Sequence, residues 1–329
     1  MLWIEKYRPK TLEEIAGQTH VTERLAAWAD RRGLPHLLLS GPHGTGKSTA
    51  VECLAKRLYG DEWEVNTGIV STSTLFQEGR AYLEGEERFS HLYRKDESVI
   101  SNFKRIARWY SSLQPLGAPF RLMVFEEAEA LPFEAQQALR RTMEQYHRTC
   151  RFLYCTTRAS GIIPAIASRC YPLHFLPLGE EAILRILQRV QGEEGCTEVG
   201  RDDLELVARA AKGDARRAIM MLQVMAEAQI HDLSRAMRSE TEGVTSTIVE
   251  QLLNGDLNAA CKGMETLLLE YGLSGREAIH MLAREVGRQY NDPLAIRQIA
   301  STDTILAEGG NDFIQLNALL SMLREEVFP

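Results

Sequence analysis

GPHGTGKS, at residues 41–48, is the stretch whose residue types and spacing most directly specify chemistry. Gly41, Gly44 and Gly46 allow backbone N–H groups to wrap an anion, Lys47 adds a cation, and Ser48 adds a hydroxyl able to ligate Mg²⁺. The pattern G-x-x-x-x-G-K-[ST] between an apolar strand and a helix is that of a loop holding nucleoside triphosphate, with Lys47 on the β/γ-phosphate oxygens. An ordinary glycine-rich turn would not explain a lysine at a helix start, where the macrodipole disfavours it. The candidate nucleotide contacts are Gly41, Pro42, His43, Gly44, Thr45, Gly46, Lys47, Ser48 and Thr49.

A second constellation lies in RLMVFEEAEALPF, where an apolar run delivers Glu126 and Glu127. A carboxylate at the end of a strand beside the phosphate loop helps hold Mg²⁺, and a following glutamate polarises the attacking water. Glu126 takes the first role, sharing the metal with Ser48, and Glu127 the second. Aspartate usually fills the first position. Glutamate moves the carboxylate outward by about 1.5 Å, a displacement able to cost about 10²-fold in rate. The bland alternative is that EEAEA is an acidic helix start following a strand.

These groups need a scaffold that brings loop ends together. HLLLS, RLMVF and CRFLYCTT read as short buried strands, and Val51, Leu54, Ala55 and Leu58 recur at helical spacing after the glycine-rich turn. Alternation of such strands with helices predicts a parallel α/β sheet. Past Pro172 and Pro177 the strand signals stop, and helices follow, punctuated by QGEEGCTEVG, AKGD, LNGD, YGLSG and EGGND. Boundaries near Pro177 and Ser239 give three expected domains, 1–176, 177–238 and 239–329, which a chain of 329 residues with 44% hydrophobic residues is long enough to fill.

A formal net charge of −7 argues against capture of nucleic acid by bulk charge, so any such contact needs a local basic patch. Two helical stretches offer one: SNFKRIARWYSS with Lys104, Arg105 and Arg108 beside Trp109 and Tyr110, and ALRRTMEQYHR with Arg140 and Arg141. Either set would neutralise phosphates without reading sequence, or would simply be a solvated helix face. Six cysteines without a CxxC pair signal neither zinc nor a disulfide framework. MLWIEKYRPK lacks the apolar core of a signal peptide and no apolar run is long enough to span a bilayer, so a cytoplasmic protein without membrane association is expected.

Five motifs in order make the chain resemble, over essentially its whole length, the small subunits of replication factor C, the AAA+ clamp loaders of archaea and eukaryotes. They are WIEKYRP at residues 3–9, GPHGTGKS as Walker A, FEEAEAL at Walker B, IASRC at residues 166–170, and GDARRAIMMLQ at the sensor 2 helix. The resemblance implies an AAA+ domain, a small helical lid and an all-helical collar, with ATP and Mg²⁺ as cofactors. It places Tyr7 and Arg8 beside the adenine, makes Arg169 an arginine finger for a neighbouring subunit, and makes Arg216 the sensor 2 arginine of its own site. It implies as partners a large subunit and another small subunit, the sliding clamp (PCNA), and a primed junction of double- and single-stranded DNA.

The chain also departs from the family pattern. Walker B reads Glu126, Glu127, Ala128, Glu129 instead of D-E-A-D, and sensor 1 falls on Thr157 where asparagine is usual. STST at residues 71–74 replaces N-A-S-D, His43 replaces a proline, and residues 75–100 are lengthened. This suggests a diverged second small-subunit paralogue with slow hydrolysis at its own site. Three functions compete: a clamp loader ATPase subunit, a scaffold subunit that binds nucleotide statically and lends Arg169 to its neighbour, and a helicase motor. The last does not account for WIEKYRP or the helical C-terminal region.

Overall fold

The computed structural model describes residues 1–85, 91–196, 198–228, 240–290 and 292–328. They form two compact units, Met1–Leu233 and Ser234–Pro329. The first is built on five parallel strands, β1 (Leu37–Ser40), β2 (Thr67–Ser71), β3 (Arg121–Glu126), β4 (Cys150–Thr156) and β5 (Tyr171–His174), in the order β2-β3-β4-β1-β5. The three apolar runs read from the sequence are β1, β3 and β4. β2 and β5 are additions: TGIVS is short, and YPLH reads as punctuation because of its proline. Pro172 is tolerated because β5 is an edge strand, and Gly68 is needed in β2 because a Cβ there would fall 2.9 Å from the Tyr110 ring.

Alternation along the strands divides the first unit's core between two faces of the sheet. Met123, Phe125, Phe152 and Tyr154 pack on one side with Phe103 and Ile106 of a helix spanning Val99–Ser112. Leu122, Val124 and Leu153 pack on the other with Leu25 and Leu54, from helices Thr19–Asp30 and Lys47–Tyr59. The C-terminal ends of β1, β3 and β4 therefore lie side by side, delivering the glycine-rich loop, the two glutamates and Thr157 to one edge of the sheet. Ligands bind at that edge in parallel α/β folds.

We label the helices used below α1 (Lys47–Tyr59), α2 (Val99–Ser112), α3 (Phe133–Gln145), α4 (Glu180–Glu194), α5 (Arg201–Ala210) and α6 (Ala215–Ala228). The last three follow the sheet within the first unit.

The second unit is helical among its described residues, with helices at Glu240–Leu253, Leu257–Leu269, Gly275–Gln289, Pro293–Ala307 and Asp312–Glu326. Three turn signals in the sequence supply N-caps: Asp256, Ser274 and Asn311 each accept a backbone N–H from the first turn they precede, as does Asp292, which lies outside those stretches. Ser274 and Glu277 complete a capping box. Leu282, Leu316, Leu319, Leu320 and Leu323 are fully buried at its centre. The expected boundary at Ser239 lies outside the described residues. Among the described residues, no helix is long and apolar enough to cross a membrane.

Candidate functional site

Gly41 and Gly44 adopt φ of 151° and 65°, and neither leaves room for a side chain. A Cβ at Gly41 would fall 2.2 Å from the Phe175 carbonyl oxygen, and one at Gly44 would fall 1.7 Å from Asp214 Oδ1. Gly46, at φ 98°, opens α1, and no side chain caps that helix, so its first N–H groups are left to a ligand. The Lys47 ammonium donates to the carbonyl oxygens of Gly41 and Pro42 at 2.7 and 2.6 Å. Burial, with the Arg216 guanidinium adding to it, holds this ammonium below its ordinary value, against the opposing pull of Cys155 and Glu129. A half-buried cation beside uncapped N–H groups suits an anion. The loop thus fits a triphosphate. Bound Mg²⁺ would neutralise phosphate charge, with Ser48 and Glu126 as the chain's ligand candidates. Among the described residues no cluster of three histidine, cysteine or acidic side chains is placed to hold a metal ion.

A cavity of about 260 Å³ joins the loop to the strand ends. His43 to Thr49 line it together with Glu126, Glu127 and Thr157. Glu127 is held in the left-handed region at φ 51°, ψ 46°, a conformation a non-glycine residue enters at a cost of about 1–3 kcal/mol. Its restraint comes from the STST segment. Thr72 Oγ1, fully buried, lies 2.7 and 2.6 Å from the carbonyl oxygens of Glu126 and Glu127 and shares its proton between them, while the Ser73 hydroxyl donates to Glu127 Oε2. Thr157 donates both its N–H and its hydroxyl to Glu129 Oε1, at 3.0 and 2.5 Å. Burial pushes the Glu129 carboxyl up, but hydrogen bonds from Thr157 and Thr156 outweigh it and leave it below the usual carboxylate value.

Apolar side chains line the cavity as well. Ile4, Ile15, Leu178, Ile186 and Ile219 line it with Tyr7, Arg8 and Arg189. The N-terminal box is tied to α4: Lys6 Nζ and Tyr7 Oη both donate to Glu194 Oε1, at 2.7 and 2.8 Å, and Arg189 donates to the Tyr7 carbonyl. Lys6 first, then Tyr7, hold the Glu194 carboxyl below its ordinary value. Arg8 pairs with Glu52 at 3.2 Å. Arg216 stands in the first turn of α6 and lines the cavity, and this helix is docked on the loop, with Ala215 N–H donating to the Gly44 carbonyl at 3.1 Å. Sequence reading found Tyr7, Arg8 and Arg216 but missed Ile15, Ile186 and Arg189, which come from segments without a chemical motif, and Ile219, an apolar residue within the stretch GDARRAIMMLQ. It also missed the roles of Thr72, Ser73 and Glu129, whose only signal was that they depart from the family pattern.

Residues 1–153 match the model of the Rad17 P-loop domain, and residues 241–322 match that of the replication factor C C-terminal domain. The chain is 33% identical over 334 residues to the replication factor C small subunit of Archaeoglobus fulgidus, covering 98% of this chain and 97% of that one. It is 35% identical over 338 residues to that of Thermofilum pendens, covering 98% and 96%. The chain belongs to the replication factor C small-subunit family. Solved structures share its fold at lower identity: an Aeropyrum pernix ORC1 protein in complex with DNA (TM-score 0.58, 19% identity, 98% of this chain and 87% of that one) and a mutant RuvB from Thermotoga maritima (TM-score 0.54, 18% identity, 95% and 91%).

In this small subunit Arg169 is not a wall of its own chain's cavity. Its guanidinium donates to the Ala165 carbonyl at 2.7 Å and to Glu144 Oε1 at 2.6 Å, and Arg169, with Arg140 assisting, holds the Glu144 carboxyl below its usual value. The basic candidates divide by their partners. Arg105 donates to both Glu97 carboxylate oxygens at 2.7 Å and to the Leu92 carbonyl at 2.8 Å, so its charge is spent fixing the lengthened segment onto α2. His91 packs edge-on against Trp109 from the same segment. Lys104 pairs with Glu134 and Arg140 with Glu144. Arg108 and Arg141 are exposed and have no ion pair among the described residues.

Proposed function

We propose that this replication factor C small subunit binds ATP with Mg²⁺ in the cavity between the loop and α6 and hydrolyses it slowly. It would act within a clamp loader that places the sliding clamp on primed DNA. The observation that carries the reading is the convergence of Lys47, Ser48, Glu126, Glu127 and Arg216 on one cavity from which Arg169 is absent. A complete cis set with the finger elsewhere is what a shared site between subunits requires. Residues 177–238 would serve as the lid, through α4 to α6, and residues 239–329 as the collar that holds subunits together. Arg141 and Arg108 would meet DNA phosphates; Arg140 would have to leave Glu144 and Lys104 to leave Glu134 to join them, and Arg105 is committed to Glu97.

The test is ATP hydrolysis by the reconstituted complex, with and without primed DNA and clamp. Lys47→Ala is expected to weaken this subunit's Mg²⁺-dependent nucleotide affinity by about tenfold to a hundredfold, the size of one or two lost charge-assisted hydrogen bonds. Equal affinity of the natural and variant chains, by equilibrium titration, would remove the phosphate loop from the reading.

A static scaffold is the second reading, favoured by Thr157, whose hydroxyl is turned to Glu129. The two readings separate at Glu126. Its longer arm weakens positioning more than binding, so Glu126→Asp is expected to raise turnover at this subunit severalfold with little change in ATP affinity, the other subunits' sites being silenced. A rate that stays at background would favour the scaffold.

A further inference from the structure

We propose that Glu129 is a positioning residue of this site and that it acts with Thr157 as one unit, an inference that rests on the reading of the cavity as an ATP site. Thr157 has two protons to offer, on its amide and its hydroxyl, and both go to Glu129 Oε1 at 3.0 and 2.5 Å. A threonine hydroxyl carries one proton, so the one given to Glu129 is not available to a phosphate oxygen. Thr157 therefore acts through Glu129, and the residue at the sensor 1 position is a strut and not a probe of the nucleotide.

The surroundings hold this strut in place. Glu129 sits in the 3₁₀ turn Ala128–Ala130, directly after the strained Glu127. Glu129 Oε2 is buried and has no hydrogen-bond partner among the described residues, so the carboxylate spends its bonding on one oxygen, toward the loop after β4. That loop passes so close that a Cβ on Gly161 would lie 2.9 Å from Glu129 Cβ. Gln136 makes a second tie between the same two segments: its Nε2 donates to the carbonyls of Leu131 and Gly161 at 3.0 and 2.9 Å, and its Oε1 accepts from Ile163 N at 2.8 Å. The turn carrying Glu127 and the loop carrying Thr157 are thus fastened together, and the loop leads into the helix Pro164–Ala167 that precedes Arg169.

The lengths of the two side chains are complementary. Glutamate at 129 reaches one methylene further than the aspartate of D-E-A-D, and threonine at 157 falls short of asparagine, so the longer acid meets the shorter donor. Restoring asparagine alone would push a larger side chain against an acid that already fills the gap, whereas restoring both would exchange one matched pair for another.

Two measurements test this. In nucleotide-free chain, Thr157→Val is expected to lower the unfolding temperature by about 2–4 °C, and by nothing measurable in a Glu129→Ala background, because its partner is then gone. Equal shifts in both backgrounds would overturn the pairing. In the reconstituted complex with the other sites silenced, Thr157→Asn alone is expected to leave kcat no higher than that of the natural chain. Adding Glu129→Asp should then raise kcat by about tenfold over Thr157→Asn, with KM for ATP within about twofold. A single Thr157→Asn variant as fast as the double would also overturn the proposal. If no variant hydrolyses ATP, the unfolding cycle still decides the pairing, and it is the ATPase reading that fails.

Discussion

Arg169→Ala is expected to lower ATP turnover at the site it serves by at least about 10³-fold, the scale on which a transferred arginine stabilises the charge of phosphoryl transfer. The affinity of this subunit's own cavity for ATP should stay within about twofold, because Arg169 lines no part of that cavity. Its guanidinium is held by Glu144 and by the Ala165 carbonyl of the short helix Pro164–Ala167, so truncation removes an exposed ion pair whose loss costs the fold little. The measurement is steady-state hydrolysis by the assembled complex beside nucleotide titration of the isolated chain. A defect that appears in the isolated chain's binding would place the arginine in cis and overturn the assignment.

Glu127→Gln is expected to abolish nearly all of the remaining rate at this subunit's own site, a loss of about 10²–10⁴-fold, which is the range for removing a general base. The substitution keeps shape and hydrogen-bonding capacity, so the restraint by Thr72 on the backbone carbonyl survives, and Ser73 can still donate to the amide oxygen. What is lost is the charge needed to polarise water. Nucleotide affinity should be unchanged or slightly higher, since one negative charge near the phosphates is gone. Single-turnover kinetics with the other sites silenced checks this, and a variant that retains the natural rate would show that Glu127 is not the polarising carboxylate.

Local chemistry was legible in the sequence. The loop GPHGTGKS announces its function because anion binding by backbone N–H groups needs glycines, a lysine and a hydroxyl at fixed offsets within eight residues, and β1, β3 and β4 announced themselves as apolar runs. The same holds for the second unit's caps, where Asp256, Ser274 and Asn311 bond backbone only three residues ahead. β2 was missed because it is short and contains Gly68, and what requires a glycine there is the Tyr110 ring beside it, a neighbour 42 residues distant in the chain.

Pairings across distance were decided by tertiary structure alone. Thr157 and Glu129 are 28 residues apart, Arg169 and Glu144 are 25 apart, and Tyr7 and Glu194 are 187 apart. Nothing in a window of sequence states which of several carboxylates a given donor will meet, because that depends on how the strands order and how the loops between them pack. Sequence reading placed Arg105 on a basic helix face, and the fold turned that charge inward to Glu97, where Nη1 donates to both oxygens of a half-buried carboxylate. It likewise placed Thr157 opposite the nucleotide, and the fold gave its protons to Glu129. The sequence by itself determined which chemistry this small subunit carries, since that resides in residue types at short spacing. The tertiary structure decided which of those residues are free to perform it, since a side chain's protons and charge go to whatever partner packing brings within hydrogen-bond reach.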